Sequence, residues 1–374
     1  MMLKQKRLGR LIGFFQIFIA NLCYLTDKIG ADSTKYKVLK KLSITFLFLS
    51  LATLVSAQQK PQYTQYIFNN FLLNPALSGI ENYVDFKAGF RRQWSGIQNA
   101  PKTVFASAHW NLGSDYLWKN PLSMPQSDDD PMSKNYMQNY TASPAHHGMG
   151  ATVVLDKAGP LSRLDANLTY AYHLQLSGTL NLSVGAAAGI TRIGLDVNML
   201  TLDNPNDPAL NNTIISQVKP DLSVGTWLYG ARFFAGVSVQ QILPQKLAFT
   251  TDPAYNLGKE VPHLFITSGY KLFLDEEISL IPSVMIKYAS PAPISVDANL
   301  KLALKERIWL GASYRHDDSF SAMAGFNVSK LLNITYAYDF TTSQLNKVSY
   351  GSHEIVLGLQ LNNMYEVLSS MRMW

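Results

Sequence analysis

The sequence predicts an all-β fold, a transmembrane antiparallel β-barrel of about fourteen strands of the outer-membrane type. Three observations predict it. Apolar and polar residues alternate with period two over unusually long segments, about ten residues or more, where strands of soluble sandwiches average about 5–6 and bilayer-crossing strands need about 9–11. Beyond Ala57 no uninterrupted apolar stretch reaches the roughly 18 residues of a spanning helix, so helices cannot be what crosses a membrane there. An export signal precedes the alternating region.

Composition agrees and excludes several function classes. The 374 residues are 47% hydrophobic and only 16% charged, too greasy for a disordered chain or a salt-bridge-laced soluble enzyme. The net charge of +6 is an effect of the leader. Nine of the 32 Lys and Arg residues but two of the 26 acids fall in positions 1–57, leaving 23 basic and 24 acidic residues beyond Ala57. A near-neutral body has no basic footprint for nucleic acid.

Within the leader, the basic stretch 35–41, the apolar stretch 42–54 and Val55-Ser56-Ala57 have the form of a signal peptide, with cleavage expected after Ala57. Residues 1–34, with their own apolar run at 11–25, read as a mis-extended start or an extra leader. The one cysteine, Cys23, lies there, so thiol chemistry is not expected in the exported body.

The alternation defines strands over 83–95, 102–112, 147–157, 163–176, 179–195, 219–229, 231–241, 261–274, 277–289, 294–304, 306–316, 319–329, 331–341 and 351–362. In the fourth, Leu164, Ala166, Leu168, Tyr170 and Tyr172 share the lipid-facing parity, and Asp165, Asn167, Thr169, Ala171 and His173 the lumen. Trp94, Trp110, Tyr314 and Tyr338 stand near segment ends, as interfacial girdles do. With a periplasmic N-terminus, links after even strands should be short, as Ser177-Gly178 and Ser329-Lys330 are. Those after odd strands, around 196–218, 242–260 and 342–350, are long, polar and extracellular. The link 113–146 breaks the rule, either as a long periplasmic loop or by hiding two more strands. A large soluble β-sandwich is the competing architecture. The barrel spans 83–362, with a tail at 363–374; the preceding segment 58–82, rich in aromatics, is expected to fold into the lumen as a plug.

Four blocks stand in that segment and the first hairpin: Gln62-Tyr63-Thr64-Gln65-Tyr66-Ile67-Phe68-Asn69, Asn74-Pro75-Ala76-Leu77-Ser78-Gly79, Phe90-Arg91-Arg92-Gln93-Trp94-Ser95-Gly96 and Ala100-Pro101-Lys102-Thr103. Their order and spacing resemble the PorP/SprF family of type IX secretion system membrane proteins of the Bacteroidetes. Tyr350-Gly351-Ser352-His353-Glu354-Ile355 resembles that family's last strand, although the tail after Leu361 departs from a terminal aromatic. The resemblance implies a non-enzymatic outer-membrane component of secretion or gliding motility, without cofactor. Its partners would be outer-membrane lipid and either the periplasmic ring of the machine or the C-terminal domain of a secreted adhesin, with neither nucleic acid nor a small-molecule substrate. Tyr63, Gln65, Tyr66, Phe68, Asn69, Asn74, Pro75, Gly79, Phe90, Arg91, Gln93, Trp94, Gly96, Pro101, Lys102 and Thr103 are then candidates for plugging or partner contact. Arg91 and Gln93 share the lumen parity with Asp85 and Lys87, while Arg92 and Trp94 face lipid near the strand end. Fold specification alone is the competing reading of these blocks.

Enzyme and ligand signals are weak. His353-Glu354 lacks the second zincin histidine. The adjacent His146 and His147 must point to opposite faces, and Asp128-Asp129-Asp130 and 203–207 read as solvated loops rather than calcium sites. Gly148-Met149-Gly150 precedes a strand where a nucleotide loop needs a helix, and no catalytic triad stands out. A passive porin or a channel for hydrophobic substrates is the main functional rival.

Overall fold

The structure, a computed structural model, describes residues 64–113, 142–200, 214–243, 246–247, 258–275, 278–304, 307–316, 318–329 and 331–362. The signal peptide and its cleavage site, Cys23, Tyr63, most of the 113–146 link, the 203–207 loop and the tail from 363 lie outside them.

Fourteen long strands form one antiparallel barrel. They are β1 (Val84–Arg92), β2 (Lys102–Leu112), β3 (His146–Ala158), β4 (Leu161–Ser177), β5 (Leu180–Asp196), β6 (Ile214–Gly230) and β7 (Phe233–Gln240). Then follow β8 (His263–Tyr270), β9 (Ile278–Tyr288), β10 (Ser295–Leu304), β11 (Ile308–Arg315), β12 (Ser319–Asn327), β13 (Leu332–Thr341) and β14 (Ser352–Leu361). Each pairs with its sequence neighbours, and β1 pairs with β14 from Val84↔Leu361 to Arg92↔His353, which closes the ring. Closure leaves no free edge strand around the ring, as hydrocarbon requires, and β6 rises past the β7 ladder, which ends at Val224↔Val239.

Period-two patterning becomes two faces. On β4, Leu168 is 67% exposed and Tyr170 45%, while His173 is fully buried, and Asp165, Thr169 and Ala171 face inward with it. The inner face carries almost all the buried polar residues, including Arg91, Asp297, Asp339 and Glu354. Two tryptophans, Trp227 and Trp309, also point inward and are buried, unlike the girdle positions.

Strand ends differ from the sequence reading in instructive places. β6 begins at Ile214 rather than 219, because the β5 ladder continues to Asp196↔Ile214. Seventeen-residue strands β4, β5 and β6 make a tall wall, about 56 Å if straight. Directly beside β6 the wall drops, since its neighbours β7 and β8 have only eight residues each. β1 stops at Arg92 instead of 95, since Trp94 takes φ +46 and turns the chain out of the ladder. β8 breaks at Lys271 and resumes only as the two-residue strand Leu272–Phe273. β2 pairs directly with β3 from Lys102↔Lys157 to Leu112↔His147, so no strand stands between them in the wall; whether the link hides two strands elsewhere falls on 114–141, outside the described residues.

Candidate functional site

Residues 64–83 have no period-two pattern, and they form three single 3-10 turns inside the barrel instead of a strand: Gln65–Ile67, Asn70–Leu72 and Pro75–Leu77. The third is fixed locally. Asn74 caps it, its Oδ1 accepting from the Ala76 N–H at 3.0 Å, and Pro75 takes the first position, where a missing N–H costs nothing. The route follows from the partners. Thr64 and Gln65 meet residues at the ends of β1, β13 and β14 where odd-numbered links begin. Gly79 meets His146, where the link from β2 enters β3. The segment therefore descends from the long-link rim to the short-link rim before turning into β1.

Its upper end is held by charge. Arg91 Nη2 lies 2.6 Å from Asp339 Oδ2, and Arg91 Nη1 lies 2.9 Å from Glu354 Oε2. Thr64 completes the cluster, its amide donating to Glu354 Oε2 at 2.9 Å and its hydroxyl to Asp339 Oδ2 at 2.8 Å, while Arg91 Nη1 donates to that hydroxyl at 2.7 Å. Gln65 Nε2 donates to the Glu354 carbonyl at 2.8 Å, and its Oε1 accepts from Thr335. Asn299 donates to the Tyr66 hydroxyl. Below them Phe68 sits between the Lys87 ammonium, 4.9 Å from its ring centre, and the Trp309 ring at 6.2 Å, and Asn69 Nδ2 donates to Ser107 Oγ at 2.9 Å. Buried ions persist only when paired and hydrogen-bonded, and here the interior segment supplies part of that bonding, while Arg91 Nε and Asp339 Oδ1 find no partner among the described residues.

The lower end is held by fit and by carbonyls. Gln240 donates to the carbonyls of Leu72 and Leu73 at 2.9 Å, Ser238 to Leu73 at 2.7 Å, and Ser183 to Ala76 at 2.6 Å. His173 Nε2 donates to Ser78 O at 2.8 Å, and in that tautomer its Nδ1 accepts from Tyr229 OH at 2.9 Å. His146 stacks on His173 at 4.3 Å and reaches Gly79 O at 3.2 Å. Phe71, Ala76, Leu77 and Ile80 pack with Trp227, Tyr229, Phe234 and Ile281. Gly79 has φ +70, and a Cβ there would stand 2.5 Å from Gly148 Cα, so the turn seats where neither residue has a side chain.

The candidate residues therefore divide three ways. Gln65, Tyr66, Phe68, Asn69, Asn74, Pro75 and Gly79 lie inside the barrel with Arg91. Gln93, Trp94 and Gly96 build the rim: Gln93 N–H donates to Pro101 O at 3.0 Å, and Ser95 exchanges backbone bonds with Gly351 O and Tyr350 N at 2.8 and 2.7 Å. Gly96, at φ +96, lies under the Tyr350 ring. Gln93 thus closes the rim loop instead of extending the lumen row. Phe90 and Lys102 face outward, whereas Thr103 faces inward and donates to Asp156 at 2.6 Å. Tyr63 lies outside the described residues. Sequence reasoning missed Asp339, His173 and Glu354 as partners, although their inward parity was readable; their meeting with Thr64 and Ser78 depends on the path of the segment.

No curated protein matches the chain. Among solved structures it is similar to the toluene transporter TbuX of Ralstonia pickettii, at 10% identity and TM-score 0.45, over 78% of this chain and 92% of that one. It is similar also to the outer membrane protein Omp33 of Acinetobacter baumannii, at 7% identity and TM-score 0.43, over 76% and 100%. The toluene transporter TodX of P. putida compares at 12% and 0.42, over 77% and 92%. The model of the type IX secretion system membrane protein PorP/SprF matches residues 55–359, and with the closed barrel and the four sequence blocks around its interior this shows that the chain belongs to the PorP/SprF family.

Proposed function

We propose that this secretion-system barrel is a non-enzymatic docking and anchoring protein of the outer membrane, with a lumen stoppered by residues 64–83. Its partner is the periplasmic ring of the machine or the C-terminal domain of an exported adhesin. The observation that carries the reading is the double fastening of the interior segment, by ions at Thr64 and by backbone carbonyls from Leu72 to Gly79. A channel would leave its bore free. Here a cavity beside the segment, lined by Phe71, Asp165, Thr169, Ser223 and Gln240, has about 40 Å³. The domain boundaries belong to the same proposal: a mis-extended start or extra leader at 1–34, a signal peptide at 35–57 cleaved after Ala57, a stopper at 58–82, the barrel at 83–362 and a tail at 363–374.

The test combines two measurements on the full chain. Planar bilayers should show no steady conductance for the native protein. Affinity capture from native membranes should recover either ring components or a large exported protein. Steady conductance with no co-purifying secretion component would replace this reading with the passive porin.

A further inference from the structure

The outward face at the long-link rim carries a row of cations that neither the barrel nor its interior segment uses. Arg92 on β1 stands opposite Lys102 on β2, and Lys102 stands opposite Lys157 on β3. All three side chains are exposed and share the lipid-facing parity. On the other side Arg92 opposes His353 of β14. Adjacent strands are about 4.8 Å apart, so the three charges span only about 10 Å. Like charges directly opposite each other destabilise a sheet, and among the described residues none of the three makes an ion pair. The nearby Asp156 points inward and is bonded to Thr103.

One step down each strand the outward residues are Phe90, Val104 and Leu155, exposed by 44%, 49% and 36% and likewise opposite one another. An apolar row lies directly beneath a basic row in the same three strands. In a membrane this step is where acyl chains give way to headgroups, and the lipid whose chains cover Phe90, Val104 and Leu155 brings its headgroup to the cations. We propose that Arg92, Lys102 and Lys157 form a binding site for the phosphate groups of an anionic membrane lipid, seated on the outer wall of β1, β2 and β3. The site rests on the barrel being membrane-embedded and is independent of whether its lumen is stoppered.

The experiment compares the full chain with the R92Q/K102Q/K157Q variant in a neutral detergent. Diphosphoryl lipid A is the probe and its dephosphorylated form the control, with retention read by native mass spectrometry and thermal unfolding. The native protein should retain the phosphorylated probe at least about tenfold better than the variant, the equivalent of losing one charge-assisted contact. It should also gain thermal stability from that probe alone. Without lipid, the variant should unfold no earlier than the native protein, because neutralisation relieves the repulsion. Equal retention by both proteins, equal retention of the dephosphorylated form, or displacement by equimolar inorganic pyrophosphate would each overturn the proposal. If the triple variant is not recovered, K102Q at the centre of the row, together with the two probes on the native chain, gives the same decision.

Discussion

Between Thr64 and Gln65 the interior segment is fastened by ionised groups, whereas between Leu72 and Gly79 it is fastened by carbonyl acceptors and close fit. At the first end two buried carboxylates, Asp339 and Glu354, share one guanidinium, and the segment's own amide and hydroxyl complete their coordination. At the second, neutral wall donors reach successive carbonyls, and Gly79 faces Gly148 at backbone contact. The difference teaches what each end tolerates. An ionic cluster holds even if its position shifts slightly, but it fails as a whole when one charge is removed. A fitted turn survives loss of one bond but not added volume.

The largest effect should come from breaking the ionic end. Arg91→Met leaves Asp339 and Glu354 buried without the guanidinium that pairs them and should lower stability by about 3–5 kcal/mol. Denaturant unfolding in detergent reads this, and bilayer recording should show intermittent conductance if the Thr64 end lifts. A silent, equally stable variant would mean that this cluster is not what fastens the segment. Gly79→Val attacks the other end, by strain at positive φ and by a Cβ 2.5 Å from Gly148 Cα, and should cost about 2–3 kcal/mol. Because the turn is backed by wall backbone, the companion change G148A should add to the damage instead of relieving it.

Much of the wall was legible because lipid imposes the same two-face rule on every strand, so Leu168 and His173 could be sorted by parity alone. The extra height of β6 was less legible. Ile214 to Val218 mix apolar and polar residues beside a link of similar composition, and only the β5 ladder distinguishes strand from loop. The interior segment was legible as a unit but not in its direction. Asn74-Pro75 marks a turn by local chemistry, yet nothing local says that its cap will meet the Thr226 carbonyl at 3.0 Å, 152 residues away. Trp227 and Trp309 stand on the lumen parity of their strands and are buried there, but that Trp309 stacks on Phe68 depends on the path of the segment.

Two smaller changes sharpen the comparison. His173→Phe keeps a flat ring against His146 but removes the donor to Ser78 O and the acceptor for Tyr229 OH. About 1–3 kcal/mol should be lost in thermal unfolding, with the bore still closed because the neighbouring carbonyl bonds remain.

Thr64→Val removes one hydroxyl and nearly nothing in volume, so alone it should cost only about 1 kcal/mol. Its value lies in the pair. The hydroxyl donates to Asp339 and accepts from Arg91, so Thr64→Val combined with Asp339→Asn should depart from additivity by about 0.5–3 kcal/mol. Thr64→Val combined with His173→Phe, changes at opposite ends of the segment, should add within about 0.5 kcal/mol if the ends are fastened independently. A coupling between the distant pair as large as that between the near one would mean that the segment moves as a rigid rod, so that loosening either fastening loosens both.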